Sequence, residues 1–400
     1  MDARPTEEHL ALAEAVDGLV ARRAQTVDPR EILETPRGYD ETLWRTLCDQ
    51  IGAAALAIPE EYGGAGYSLA ETHVVLERLG AKLVPSPLLG SAVLAAQAIL
   101  TSADDEACAR LLPGIAAGTT LAALAWADTT GHWCPDTSDV VATPTEAATP
   151  TAALAARPAT VPAAASVTPT LASSAARTAP PEAHRPAWIL SGTATLVLDG
   201  VDADVVIVAA CTAQGVGLFE VHEGIARERT AALDQTLRFA TLTFDRTPAT
   251  ALILDAAPVL THVADVAAVA VTALQVGAAE ECLQRTVEHL RTRVQFGRPL
   301  GSFQALKHRV AEMFVAVESA RSMSWAAARA DPAELPLRAA LAKAWCSDAF
   351  HAVAAETIQL HGGIAITWEH DAHLYFKRAH ATAQLFGASR EHRCRLLAHV

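Results

Sequence analysis

The sequence is short of positive charge: 31 Lys and Arg stand against 45 Asp and Glu, a net charge of −14. A surface tracking nucleic-acid phosphates would have to be built against that field. Cysteine is too sparse and scattered for a disulfide frame or a zinc site. Cys48, Cys108, Cys134, Cys211, Cys282, Cys346 and Cys394 are odd in number and form no CxxC pair, so they read as reduced thiols of a cytoplasmic protein. No secretory apolar run opens the chain, because Asp2, Arg4, Glu7 and Glu8 come first. The most apolar stretch, residues 263–279, holds Asp265 and is mostly Ala and Val. It is too short and too weakly apolar to span a bilayer comfortably, and a packed core helix is expected there. Gly 22 and Pro 21 are ordinary usage, which excludes collagen-like and elastic chains. What is present is hydrophobic substance: 51% of 400 residues are hydrophobic and 19% charged, enough for a large core and for two or three domains.

Three regions follow along the chain. Residues 1–122 read as a helical domain. Ser68 and Glu71 form a capping-box pattern directly after the breaker-rich Tyr62-Gly63-Gly64-Ala65-Gly66, so a helix is expected to start there. It would turn Val74, Val75, Leu76 and Leu79 inward and stop near Gly80, with Pro85 and Pro87 preventing continuation. Residues 123–250 read as a small, largely antiparallel β domain: short β-rich runs from Trp188 onward are separated by turn residues and end with residues 239–244. Inside it lies an Ala/Pro/Thr-rich insertion, residues 141–187. Of residues 141–180, 32 are Ala, Pro, Thr or Ser and only Glu146, Arg157 and Arg177 are charged, which predicts a mobile surface linker. Residues 251–400 return to helices expected over 263–293, 337–360 and 372–385, plus one carrying the stripe Leu306, Val310, Met313, Phe314 and Val317 behind Ser302 as N-cap. Together these make a four-helix bundle.

Three runs then acquire a joint meaning. Ile58-Pro59-Glu60-Glu61-Tyr62-Gly63-Gly64, then Arg293-Val294-Gln295-Phe296-Gly297 with Phe303-Gln304 and His308, then Gln359-Leu360-His361-Gly362-Gly363 resemble, in order, the acyl-CoA dehydrogenase family. The resemblance implies an α+β fold with an N-terminal helical domain, a middle β domain and a C-terminal four-helix bundle. It implies FAD held between subunits, a CoA thioester against the flavin, an electron-acceptor flavoprotein, and a dimer or tetramer of like or unlike chains. Arg293, Gln295 and Gln304 match positions in the FAD-diphosphate stretch, where a guanidinium offers fixed charged donors and an amide bonds without adding charge. Gln359, Leu360, Gly362 and Gly363 match the segment reaching a neighbour's FAD, two glycines permitting close backbone approach. Arg293 alone would equally suit a helix C-terminus, the glycines a helix C-cap, and Phe296 is expected in the core. His361, His370 and His373 lack a metal-ligand arrangement.

The sequence departs from the family where the chemistry is done. The family's carboxylate base removes the α-proton while the β-hydrogen leaves as hydride to the flavin. Its usual position, before a Gly, is Phe386, followed by Gly387; the alternative position on the helix before Arg293 is Ala267. Asp265, two residues away, points about 200° round a helix from that site. The flavin-side loop reads Ala125-Trp126-Ala127-Asp128-Thr129-Thr130-Gly131 and the flavin-side strand Leu196-Val197-Leu198, neither a close match. Four functions fit: a dehydrogenase with an unrecognised base; one chain of a heteromeric dehydrogenase, of the kind that acts on bulky steroid side chains in actinobacteria, whose partner carries the base; a flavin monooxygenase on the same fold; and a non-catalytic scaffold subunit.

Overall fold

The computed structural model describes residues 5–27, 29–145 and 187–398. Most of the Ala/Pro/Thr-rich insertion lies outside the described residues, so its expected mobility is left aside. The insertion starts later than expected, because residues 141–144 belong to a strand: the sheet face needs alternating burial there, and Val140 and Ala142 supply it.

The N-terminal region consists of α1 (Glu7–Ala24), α2 (Pro29–Glu34), α3 (Glu41–Ile51), α4 (Leu69–Ala81), a π-helical turn (Leu88–Ala95) running into α5 (Ala96–Thr101), and α6 (Asp105–Ala116). The capping box forms: Ser68 Oγ accepts from Ala70 N at 3.1 Å and Glu71 Oε2 accepts from Ser68 N at 2.9 Å. Val74, Val75, Leu76 and Leu79 are buried as expected. The helix ends at Ala81, next to Gly80, as expected. Gly80 also permits close approach. A Cβ on Gly80 would lie 2.5 Å from Leu274 O, and one on Gly277 would lie 1.9 Å from Glu77 O.

The β strands are β1 (Ala122–Ala125), β2 (Val140–Pro144), β3 (Ala187–Leu198), β4 (Val205–Thr212), β5 (Gly215–Val221), β6 (Ile225–Arg229) and β7 (Phe239–Ile253). Strands β4, β2, β3, β7 and β5 bond in a closed ring, with β1 added parallel to β4 and β6 antiparallel to β7. The ring is mostly antiparallel and encloses Val206, Val208, Phe219, Leu242 and Phe244. The last strand runs nine residues beyond Phe244, to Ile253, because Ala249, Ala251 and Ile253 keep one face buried and Leu252 is buried on the other.

The C-terminal helices are α7 (Ala257–Thr292), α8 (Gln304–Ala328), α9 (Leu335–His361), α10 (Ala372–Gln384) and α11 (Ser389–Leu397). Helix α7, at 36 residues, is long and apolar enough to cross a membrane, longer than the sequence suggested, but 83% of its apolar window is buried inside the fold. A helix apolar all round belongs in a core. On α8 the buried stripe runs through Met313, Val317 and Ala320, while Phe314 is 55% exposed; the i+3 step, not i+4, follows Val310. Ser302 does not cap this helix. It sits in a 3₁₀ turn, donates to Pro299 O at 2.7 Å, and leaves Phe303 as an N-cap without a side-chain bond.

Candidate functional site

Helix α7 ends at Thr292, and Arg293 turns extended (φ −74°, ψ 118°), opening a two-strand hairpin in which Val294 pairs with Pro299 and Gln295 with Arg298. Its tip is Phe296-Gly297, both at positive φ (54° and 75°). That turn lifts Phe296 out of the protein: it is 88% exposed, contrary to the core position expected of it. Its ring meets Phe303 edge-on at 6.1 Å, and the Arg298 guanidinium lies 4.0 Å over Phe303. A large apolar side chain held exposed at unfavourable φ is the kind of local strain that accompanies a contact made by something outside the chain.

Gln304 is the first residue of α8, exposed, with Nε2 3.3 Å from His308 Nε2. Gln359 and Leu360 close α9, the first exposed and the second buried. Gly362 caps that helix at φ 69°, and neither it nor Gly363 has anything within 4 Å of a would-be Cβ. The ends of α7 and α9 are brought together by imidazoles: His289 stacks on His361 at 4.4 Å, and His361 meets His370 at 4.7 Å. Arg293, Gln295, Gln304, Gln359, Gly362 and Gly363 thus lie exposed at one end of the bundle. The Arg293 side chain has no hydrogen bond or ion pair among the described residues, so its five donors are free for an acceptor such as phosphate. This half fits a dinucleotide's diphosphate. Burial, the neighbouring imidazoles and Arg293 hold His289 below the ordinary imidazole value; burial does the same for His361 and His370. His373 stands apart against Trp368 at 4.8 Å. Among the described residues no group of three or more His, Cys, Asp or Glu is arranged to hold a metal.

The other half of the expected site is filled. Phe386 is buried, at φ 58° before Gly387 at φ 100°, and its ring packs against Trp133 at 5.1 Å and Trp126 at 6.1 Å. Ala267 is fully buried in α7. Asp265 is buried and ion-paired with Arg395 of α11, a structural tie. The 125–131 loop closes on itself: Asp128 Oδ1 accepts from Thr130 N at 2.8 Å and His132 N at 2.9 Å. Val197 and Leu198 are core. Beneath them a space of about 30 Å³ remains, bounded by Leu76, Leu89, Leu274, Asp199 and Arg378.

Buried ion pairs stand here, one within the β domain and one that ties it to the bundle. Arg238 donates to Asp199 at 3.0 Å and to Asp202, and Arg378 to Asp234 and Thr236. Burial pushes Asp199 up to about 7, with Arg238 opposing. The turn carrying Phe386 is held from below by Lys343, fully buried, whose Nζ donates to Gly387 O at 3.0 Å, Ala383 O at 3.2 Å and Ser347 Oγ at 3.1 Å. A cavity of about 760 Å³ lies elsewhere, between α1, α2, α4, α7 and α10. Its rim charges are paired, Arg23 with Asp40, Arg30 with Asp371 and Lys82 with Glu281.

Known proteins can now be set beside this geometry. The models for the acyl-CoA dehydrogenase N-terminal domain and C-terminal domain match residues 6–119 and 258–400. The chain is 40% identical over 387 residues to acyl-CoA dehydrogenase IpdE2 of Mycobacterium tuberculosis, covering 97% of this chain and 95% of that one. Among solved structures it is similar to the ChsE4-ChsE5 complex of Mycobacterium tuberculosis, at 28% identity and TM-score 0.80, covering 100% of both chains. It is also similar to a variant of the Tcur3481-Tcur3483 steroid ACAD, at 29% identity and TM-score 0.79, covering 98% of this chain and 97% of that one.

Proposed function

The chain belongs to the acyl-CoA dehydrogenase family of flavoprotein oxidoreductases, and from that premise we propose that it is one subunit of a heteromeric, FAD-dependent dehydrogenase that α,β-desaturates a CoA thioester in the cytoplasm. The observation that carries this reading is the contrast between the two halves of the site. Arg293 is exposed and unpaired beside two open glycines, whereas the base position is a Phe locked between two Trp rings.

In this reading Arg293, Gln295 and Gln304, with the backbone at Gly362-Gly363, grip the diphosphate of an FAD whose ring lies in a partner chain. When bound, FAD accepts the hydride leaving the β-carbon, and an electron-acceptor flavoprotein reoxidises it. This chain's own contribution is to bind and orient. Phe386, Trp126 and Trp133 exclude water and flavin from the internal cleft, and the partner's carboxylate takes the α-proton. The resemblance to a steroid ACAD supports a bulky, steroid-derived acyl group, and that to the ChsE4-ChsE5 complex supports an assembly of two unlike chains. Replacing Arg293 with Ala tests the assignment: bound flavin is lost while the far-ultraviolet circular dichroism is unchanged. Full flavin content in that variant would refute it.

A further inference from the structure

We propose that His289 is a second ligand of the diphosphate beside Arg293, donating from its ring to a phosphate oxygen and taking up one proton as the anion binds, with His361 stacked behind it as a positioning residue. The proposal rests on the cofactor reading above and adds to it a residue and a proton.

His289 sits one helical turn before Arg293, whose N–H donates to His289 O at 2.9 Å, so the imidazole and the guanidinium leave the same end of α7. The interplanar angle of 30° with His361 holds the His289 ring flat against a buried neighbour. The other two rings of the row are committed to the backbone. His361 Nδ1 donates to Thr357 O at 2.8 Å, and His370 Nδ1 accepts from Ala372 N at 3.1 Å. Neither ring nitrogen of His289 has a hydrogen-bond partner among the described residues, and the residue is half-buried. It is the one ring of the three with neither nitrogen engaged, so either can be turned to a ligand.

The row is also short of negative charge. Arg293, His361 and His370 act directly on His289. Around them stand Arg285, His373 and Asp371, and Asp371 is already shared by Arg30 at 2.8 Å and Arg285 at 3.1 Å. A positive charge on His289 therefore has no spare carboxylate to answer it. An external anion would supply that charge, and a diphosphate diester is a dianion with no proton of its own to exchange near neutrality. The proton must then come to the protein, and affinity must rise as pH falls.

Titration calorimetry of FAD into the flavin-stripped mixed assembly of this full chain and a related chain that carries the family's catalytic Glu, in buffers of different ionisation enthalpy, reads this directly. Wild type takes up protons on binding, and its Kd tightens between pH 8 and pH 6 by as much as about tenfold per pH unit. His289→Phe, which keeps the stack, removes the uptake and flattens the profile. His289→Arg, permanently charged, also gives a flat profile, at least as tight as wild type at pH 6. An unchanged slope and uptake in His289→Phe, or no uptake in wild type, overturns the assignment while loss of binding in Arg293→Ala leaves the cofactor reading standing. Binding untouched by Arg293→Ala overturns both.

Discussion

Lys343 offers a test of how the Phe386 turn is held. Its ammonium has no solvent exposure and no carboxylate in contact; three oxygens at 3.0–3.2 Å take its three protons. One of those acceptors, Ala383 O, is a carbonyl of the last turn of α10, where a cation is favoured by the helix dipole, and Gly387 O belongs to the turn that follows. Burial lowers the folded-state pKa from 10.5 to about 8. Between these values the unfolded chain holds a proton that the folded chain has released, so stability from this group rises as pH climbs from 8 to 10.5. The gap corresponds to about 3 kcal/mol at 1.36 kcal/mol per pKa unit. Lys343→Met removes the titration. Urea unfolding followed by tryptophan fluorescence, at steps from pH 7.5 to 10.5, should show wild type gaining about 3 kcal/mol relative to the variant across that window. Thiols and tyrosines titrating in the same range act on both proteins and cancel in the difference. Parallel profiles for the two would refute the buried-ammonium account of this turn.

His73, fully buried with Nε2 3.1 Å from Ser324 Oγ, is pushed down to about 3 by burial, so the unfolded chain binds a proton below 6.5 that the folded chain refuses. Stability should fall as pH drops from 7 to 5 by about 2 kcal/mol more in wild type than in His73→Met, read by the same unfolding assay. Gly277→Ala, which drives a methyl to 1.9 Å from Glu77 O, should separate α4 from α7 and cost about 3 kcal/mol or more, seen as a lowered thermal midpoint; an unchanged midpoint would mean the crossing is looser than described.

Much of the architecture is legible in the sequence because local chemistry and tertiary need agree there. Ser68 and Glu71 announce α4 through a reciprocal cap, and α7 announces itself through an Ala- and Val-rich stretch apolar on every face. The misses fall where neighbours decide. Residues 122–125 and 225–229 are too short to show a period, and become β1 and β6 only because longer strands accept their hydrogen bonds. Gly80 marks the end of α4 as its type suggests, but that its missing Cβ also admits the α7 backbone shows only in the fold. Phe296 looks like core until its turn is seen to need two positive φ angles. Arg238 and Arg378 resemble surface arginines in any single sequence; burial with Asp199 and Asp234 is visible only when strands and helix meet. At the site, order and spacing single out Arg293 and Phe386, while the exposure of the one and the burial of the other show only in the fold. The stack of His289 on His361 joins residues 72 positions apart and leaves no local trace.

The measurement that bears most directly on the subunit assignment is the flavin content and thioester-desaturating activity of this chain purified alone and after co-expression with a related chain that carries the family's catalytic Glu. A colourless, inactive chain that becomes yellow and active only in the mixed assembly, with flavin substoichiometric to total chains, is the expected result. A yellow, active preparation of this chain by itself would contradict it, since Phe386 and Ala267 offer no group to accept the proton.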